Sequence, residues 1–297
     1  MRRNVRRFWS VFLTLAMVMS LMTGLAVSVN AESTYDYTLY YSAGKMYRDS
    51  AHTAEVTGLA GWSGNGDTLT LSGFSFVTTA AIALSAADGT KVILAEGTTN
   101  TIKSTAETVV NSAALFGEGT LTIEGSGTLE AVSGNTQVSV SKAGSAGICS
   151  SESLAIIGSP VIRATGGTTK VQGENSVTDS MGIFVVQGDL ELAGPADITA
   201  RGGAAAAAGA SAKAMSFGVL IMDGSFSITA AAKLTAEGPS ASADGENATT
   251  LCAGIDMAKG NLTVSAAADI TAAGGTTATT GENSRTSSNG IELEKGN

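Results

Sequence analysis

Histidine is nearly absent from this chain, and so is any cluster of residues suited to acid–base catalysis. Among 297 residues there is one histidine, His52, and no two aspartates stand next to each other. Enzymes that cleave polysaccharides need paired carboxylates as acid and base. A histidine and basic residues would be expected beside those carboxylates. We therefore expect no catalytic residues, and we interpret His52 as a structural residue of the surface.

Positive charge is also scarce. The chain has 17 basic and 26 acidic residues, which gives a formal net charge of −9. Four of the basic residues are arginines within residues 1–31, so residues 32–297 carry 13 basic residues against the same 26 acidic ones, a net charge of −13. A chain of this charge repels phosphate backbones. We expect no nucleic-acid partner, and calcium is the cofactor that such a chain favours.

A long hydrophobic run occurs only once in the sequence, close to its start. The basic segment "MRRNVRR" precedes an uncharged run from Phe8 to Val29, and the small-residue cleavage pattern "VNA" ends at Ala31. This order is typical of a secretory signal peptide. Removal of residues 1–31 would leave a secreted, extracellular protein with no membrane segment. Because the run is long enough to span a bilayer, an uncleaved anchor is the alternative.

Helical periodicity is missing after the signal segment, whereas a period of two is present. Apolar and polar residues alternate in "LEL" from Leu190 and in "ITA" from Ile198, as they do in strands. These segments recur at intervals of 36 residues, each preceded by an apolar element that begins with glycine. The equivalent positions are Leu154, Leu190, Phe226 and Leu262, then Ile162, Ile198, Leu234 and Ile270, and for the glycines Gly147, Gly182, Gly218, Gly254 and Gly290.

This repeat predicts an all-β protein, a parallel β-helix. Short strands cannot bury their inner faces alone, but stacked coils place each aliphatic residue on its equivalent in the next coil. Each buried aliphatic side chain contributes roughly 1.5–3 kcal/mol, and successive coils lie ~4.8 Å apart. We predict a single-stranded solenoid with coils of about 36 residues over residues 81–297. The sequence stops in mid-coil, so further C-terminal domains are expected.

Two other kinds of segment complete the predicted domain organisation. Low-complexity stretches such as "TTKVQGENSVTDSM" and "AAAAAGASAKAMSF" lie between the strand segments, and we interpret them as one exposed loop per coil. Residues 32–80 contain all five tyrosines and, at Trp62, the only tryptophan after the signal segment. A solenoid needs its open end covered. Residues 32–80 are therefore predicted to form an aromatic N-terminal cap.

The runs "GWSGNGDTLTLSGFSF", "TKVILAEGTTNTI" and "GEGTLTIEGSGTLEAVSG", together with the later coils, resemble a known group of proteins. They are similar to the parallel β-helix carbohydrate-binding domains of secreted and surface proteins from clostridia and related gut bacteria. The likeness covers most of the chain after Gly61. It implies a right-handed β-helix, an extracellular or cell-surface location, polysaccharide binding and calcium sites. The motifs themselves are structural and mark no ligand residue.

Two functions are compatible with these observations. The first is an extracellular polysaccharide-binding module of a secreted or surface bacterial protein. The second is a non-catalytic structural stalk or adhesin segment of a larger surface protein. Retention on a specific glycan would distinguish the first from the second.

Aromatic rings suited to sugar stacking are concentrated in the predicted cap. The candidate carbohydrate-binding residues are Trp62, Tyr40, Tyr41 and Tyr47. The outward strand positions, in contrast, read as small and polar residues. The alternative is that these rings form the hydrophobic core of the cap itself.

A recurring "GEN" in the low-complexity stretches suggests a metal site. Glu246 and Asn247 occupy the same predicted position as Glu282 and Asn283 in the next coil. Carboxylate, amide and backbone oxygens are the ligands that calcium prefers, so these four residues are the candidate calcium ligands. The alternative is a solvated turn in which Gly245 and Gly281 permit a positive φ.

One outward strand position is unexpectedly apolar in several coils. Cys149, Phe184 and Leu220 occupy it, with Val186 and Met222 alongside, and it becomes acidic in later coils. Either a loop or the cap folds over these residues, or they form a contact surface for a partner.

The two cysteines, Cys149 and Cys252, are predicted to be free thiols. They are placed three coils apart, roughly 14 Å along the axis. This exceeds the ~7 Å limit between the Cα atoms of a disulfide.

Overall fold

The computed structural model describes residues 34–265 and 267–295, and the predicted signal peptide lies outside them. Within these described residues the chain is all-β, with 28 strands and no helix. Accordingly, no helix in the described part is long and apolar enough to cross a membrane.

The strands form three sheets, and the chain passes through sheets I, II and III in turn in each coil. Sheet I contains Leu39–Ser42, Lys45–Tyr47, Ile82–Ala86, Asn111–Gly117, Lys142–Ser150, Val177–Val185, Lys213–Ile221, Thr249–Met257 and Arg285–Leu293. Sheet II contains Trp62–Asn65, Thr68–Leu71, Thr90–Leu94, Leu121–Gly125, Leu154–Gly158, Leu190–Ala193, Phe226–Ile228 and Leu262–Val264. Sheet III contains Thr34–Tyr35, Ser75–Thr78, Thr99–Ser104, Thr128–Val132, Thr136–Val138, Val161–Thr165, Thr169–Gln172, Asp197–Arg201, Ala204–Ala208, Lys233–Asp244 and Asp269–Thr280.

The strands stack in parallel and in the predicted register, which confirms the β-solenoid. In sheet II, Leu154 pairs with Leu190, Leu190 with Phe226, and Phe226 with Leu262. These partners are 36 residues apart in the sequence, as the repeat requires. The preceding coil is shorter, because Leu121 pairs with Leu154.

Side-chain burial follows the predicted alternation within the stack. Leu190, Leu192 and Ile198 are at most 1% exposed, and Glu191 between them is exposed. The same parity was expected at Leu262, Val264 and Ile270. Leu262 and Ile270 are partly buried against the main core, whereas the expectation for Val264 is wrong. Val264 is 45% exposed, because no described strand stacks on the far side of Leu262–Val264.

The low-complexity stretches are strands for most of their length, which corrects the prediction of exposed loops. Strands such as Thr169–Gln172 and Ala204–Ala208 form a second arm of sheet III that packs on the first half of the sheet I strands. The space between them is narrow and is filled mainly by alanines. The signal for this small core was a period of two in small residues, as at Ala205, Ala207, Ala212 and Ala214, all buried.

A ladder of buried serines joins sheet III to sheet I. Ser145, Ser180 and Ser216 are register partners in successive coils. Ser180 Oγ donates to the Gly167 carbonyl at 2.7 Å and accepts from the Gly203 N–H at 2.6 Å. Each hydroxyl thus satisfies backbone groups where sheet III turns between its two arms. The next residue of the ladder is Cys252, whose Sγ lies 3.6 Å from the Thr276 carbonyl oxygen.

Two antiparallel hairpins lie at the N-terminal end of the solenoid. One pairs Tyr40 with Tyr47 at the end of sheet I, and the other pairs Trp62 with Leu71 at the end of sheet II. Such hairpins protect sheet edges that would otherwise present a template for further pairing. Parallel stacking has already begun within residues 32–80, since Thr68–Leu71 pairs with Thr90–Leu94.

Candidate ligand groove

Sheet I bends along its column of glycines. A Cβ on Gly182 would lie 2.3 Å from the Arg201 amide nitrogen, so no side chain fits where sheet I meets sheet III. On either side of this glycine, residues three apart in sequence share a face. Ser180 and Ile183 point inward, whereas Met181 and Phe184 belong to one cluster on the outside. The outer face of sheet I is therefore concave.

Apolar side chains fill this concave face. Residues on the two sides of the bend contact each other, so they are buried although they point away from the main core. Cys149 is 8% exposed and Leu220 is 6% exposed, whereas Val186 and Met222, each one residue past the end of its strand, are 38% and 45% exposed. The outer cluster comprises Ala113, Ala146, Cys149, Met181, Phe217, Leu220 and Ala253, with Ile82, Phe116, Phe184, Met215 and Leu251 against it.

The concave face holds a groove of about 720 Å³. It is lined by four neighbouring strands of sheet I that begin at Asn111, Lys142, Val177 and Lys213, and by two residues beside them. None of the described residues of the cap, 34–80, lines it. The expectation was that a loop or the cap covers these apolar residues, and the cap does not cover the groove.

An aromatic column follows the groove and continues into the cap. The register runs from Tyr47 through Tyr40, Ser85, Phe116 and Cys149 to Phe184. In this column Tyr40, Phe116 and Phe184 stand on every second strand, so that their backbones are about 10 Å apart for a strand spacing of ~4.8 Å. Two of the predicted sugar-binding residues, Tyr40 and Tyr47, thus share a column with phenylalanines that sequence reasoning had not assigned to a ligand.

The other two predicted sugar-binding residues belong to the core of the cap. Tyr41 is 1% exposed, and its hydroxyl donates to the Gly66 carbonyl at 2.9 Å. Trp62 pairs with Leu71, continuing an inward column, and packs against the main core. The ring of Tyr41 is enclosed by protein, and that of Trp62 lies on a different sheet from the groove. His52 packs beside Tyr47 at a ring distance of 5.0 Å, which fits its structural interpretation.

A carboxyl group in the groove lacks a hydrogen-bond partner. Asp179 as a residue is partly exposed, but its Oδ1 atom is buried and accepts no hydrogen bond from the described residues. Burial raises the pKa of this carboxyl to about 6, against the opposing attraction of Lys142. Buried polar atoms in folded proteins are almost always paired. Groups with a shifted pKa in a largely apolar cleft are typical of ligand sites.

The predicted calcium ligands lie in a column of stacked turns. Asn247 donates its N–H to the Glu282 carbonyl at 2.9 Å, so the two "GEN" turns are adjacent as predicted. The asparagines have positive φ, 56° at both Asn247 and Asn283, and Gly245 has φ 135°. Glycine and asparagine adopt positive φ more readily than other residues. The backbone of a solvated turn therefore accounts for these residue types without a bound metal ion. Among the described residues, no three histidine, cysteine or acidic side chains converge to hold a metal ion.

Acidic residues continue the column of Cys149, Phe184 and Leu220 beyond the groove. Asp256 follows Leu220, and Glu292 follows Asp256. Asp256 is 3% exposed, and burial, with Glu292 and Glu294 nearby, raises the pKa of its carboxyl to about 7. The apolar surface therefore ends in a pair of stacked carboxyls.

The cysteines are free, as predicted, and both are buried. They lie in different columns of sheet I, Cys149 on the outer face and Cys252 in the serine ladder. Burial raises the pKa of the Cys149 thiol to about 12, so it is not a nucleophile at neutral pH.

Comparison with known proteins adds nothing to this geometry: no family model, curated protein or solved structure matches the chain. Its function is therefore argued from the groove.

Proposed function

We propose that this chain is a polysaccharide-binding module of a secreted or cell-surface bacterial protein, without catalytic activity of its own. The polysaccharide lies along the stack in the groove of sheet I. The observation that carries this proposal is the aromatic column, in which Phe116 and Phe184 line the groove and Tyr40, in the cap, continues the same register two strands further on.

The spacing of these rings suits an extended glycan. Sugar rings present apolar C–H faces that pack on aromatic side chains, while their hydroxyls need polar partners. Ring positions about 10 Å apart are comparable to one disaccharide unit of an extended β-linked chain. Asn111, Lys142, Asp179 and Lys213 supply polar groups along the same groove. The stacked coils thus present side chains at regular intervals, as the sugar units of a polysaccharide recur at regular intervals.

Catalysis is not part of the proposal. Asp179 is a lone carboxyl in the groove, and hydrolysis of glycosidic bonds generally uses two that face each other. The extracellular location rests on the predicted signal peptide and on the resemblance to clostridial carbohydrate-binding domains. The alternative is a structural stalk, which absence of binding to any polysaccharide would favour.

Retention of the purified protein on a panel of insoluble polysaccharides tests this function. We expect retention on at least one polymer, and we expect Phe116→Leu together with Phe184→Leu to weaken it about tenfold or more. Leucine already occupies this column at Leu220, so the substitutions remove the ring faces while keeping an apolar residue. Met222→Leu is the matched control, because Met222 is exposed but does not line the groove. Failure of every polymer to retain the protein would favour the stalk.

A further inference from the structure

We propose that the groove contains a subsite for an acetamido group, and that the glycan it recognises therefore carries N-acetylated hexosamine units. This inference rests on the proposed function and adds the class of sugar. It is argued from a gap in the groove at Gly144 and from the four side chains that surround that gap.

The gap is one residue wide and exists because Gly144 has no side chain. Asn111, Gly144 and Asp179 are register partners in three successive strands. A Cβ on Gly144 would have its nearest neighbour, Asn111 Oδ1, at 3.5 Å, an ordinary contact distance. The glycines of the bend, such as Gly182 and Gly218, are in contrast needed for close backbone packing. Backbone packing does not require a glycine at position 144. Because Gly144 has no side chain, a recess remains between Asn111 and Asp179.

One border of the recess is an unpaired hydrogen-bond acceptor. Asp179 Oδ1 is buried and has no hydrogen-bond partner among the described residues. A buried acceptor in this state is stabilised by any ligand that donates to it. The ligand group must therefore carry an N–H or O–H. A carboxylate or sulfate at this point would instead meet the charge of Asp179.

The other borders of the recess supply a hydrogen-bond donor and an apolar surface. Lys142 lies two residues before Gly144 on the same outward face, is exposed and can donate. The Asn111 atom nearest the recess is Oδ1, which adds a second acceptor beside Asp179. Ala146 lies two residues after Gly144, in a column with Ala113 and Met181, and these three residues belong to the outer apolar cluster. The Lys142 ammonium group therefore lies on one side of the recess and an apolar wall on the other.

An acetamido group combines these three properties. Its N–H can donate to Asp179 Oδ1, its carbonyl can accept from Lys142, and its methyl group can pack on the wall at Ala146. A hydroxyl group would satisfy the carboxylate but leave the wall uncontacted. The acetamido group is small enough for a recess that a single side chain would fill.

Calorimetric titration with two tetrasaccharides tests the subsite. The β-1,4-linked tetramers of glucose and of N-acetylglucosamine share a backbone and differ in the acetamido groups. We expect the purified protein to bind the N-acetylated tetramer about tenfold more tightly or better, since one hydrogen bond and a buried methyl group are worth about that factor. We expect Asp179→Ala and Gly144→Val each to remove this preference.

The variants separate the subsite from the groove as a whole. Ala206→Val is the control for Gly144→Val, because it adds the same side chain at an outward strand position away from the groove. Phe116→Leu should weaken both tetramers and keep their ratio. Equal binding of the two tetramers would overturn the subsite while leaving polysaccharide binding intact. A preference that survives Gly144→Val in a folded protein would also overturn it. If neither tetramer binds, the subsite is overturned, and the polysaccharide panel decides the proposed function separately.

Discussion

Lys233 stands directly on Asp197 in the stack, with its Nζ atom 3.8 Å from Asp197 Oδ2, although a whole coil of the chain separates them. Asp269 is the register partner on the other side of Lys233. A column of alternating charge therefore favours this register over one shifted along the strand, where the signs would no longer match.

Lys233→Glu should lower the melting temperature slightly without unfolding the protein. Both side chains of the Asp197 pair are at least half exposed, and exposed ion pairs contribute under about 1 kcal/mol. For a domain of this size we expect a decrease of roughly 2–4 °C per kcal/mol lost. Lys170→Glu is the control, because the register partners of Lys170 are Gln137 and Ala206, which are uncharged. Complete loss of folding would show that the pair does more than favour register.

The two kinds of glycine in sheet I should respond differently to substitution. Gly182→Ala places a Cβ 2.3 Å from the Arg201 amide nitrogen, so we expect destabilisation of about 1–3 kcal/mol or more from overpacking. Gly144→Ala meets no atom closer than 3.5 Å and should leave stability nearly unchanged. Urea unfolding of both variants measures the difference. Equal stability of the two variants would contradict the bend that forms the groove.

The fold was largely predictable because the sequence repeat of a solenoid determines which residues pair in neighbouring coils. Leu190 and Ile198 could be assigned to the core from their equivalents 36 residues away. The alanine core was missed, since Ala205 and Ala207 in "AAAAAGASAKAMSF" resemble a low-complexity loop when hydrophobicity alone is followed. The serine ladder could have been found from serine two residues before the glycine in Ser145-Ala146-Gly147 and its equivalents.

The groove was harder to predict than the fold. The apolar column at Cys149, Phe184 and Leu220 was visible in the sequence, but its concavity depends on a bend at the glycines that alternation does not reveal. Tyr40 joins that column only through the pairing of a cap strand with sheet I, and its spacing differs from the 36-residue repeat. Asp179 has no distinguishing sequence context at all. Its significance comes from the burial of one oxygen atom.

Stability should decrease as pH rises from about 4 to about 7. The pKa of Asp256 is about 7 in the folded chain, raised by burial and by Glu292 and Glu294, above the ordinary value of 3.8. The folded state therefore holds a proton in this range that the unfolded state has released, and stability falls with pH until the folded carboxyl ionises. Asp179, buried opposite Lys142, contributes in the same direction up to about pH 6.

Asp256→Asn should reduce this slope, because the amide does not titrate. Thermal melts between pH 4 and pH 8 of the unsubstituted protein and the variant measure it. Asp223→Asn is a suitable control, since Asp223 is half exposed and paired with Lys259. An unchanged slope in Asp256→Asn would mean that Asp256 is solvated in the folded protein.

Calcium should raise the melting temperature if the stacked "GEN" turns bind it, as we propose from their oxygen-rich side chains. Glu246 and Glu282 lie in adjacent turns, where a cation would relieve the repulsion between their carboxylates. The combined substitution Glu246→Gln and Glu282→Gln should abolish the shift, whereas Glu174→Gln, in a turn separated by Ala210, should not. No shift in excess calcium would leave these residues as a turn only.

Hydroxyl-radical footprinting of the protein with and without a retained polysaccharide shows whether the glycan binds in the groove of sheet I. Mass spectrometry then reports oxidation at individual aromatic and sulfur-containing side chains. We predict that bound glycan protects Phe116, Phe184 and Met215 in the groove, together with Tyr40, and leaves Met222 unchanged. Protection confined to Trp62 on the cap, or uniform oxidation in the presence of a polymer that demonstrably retains the protein, would contradict binding in the groove of sheet I.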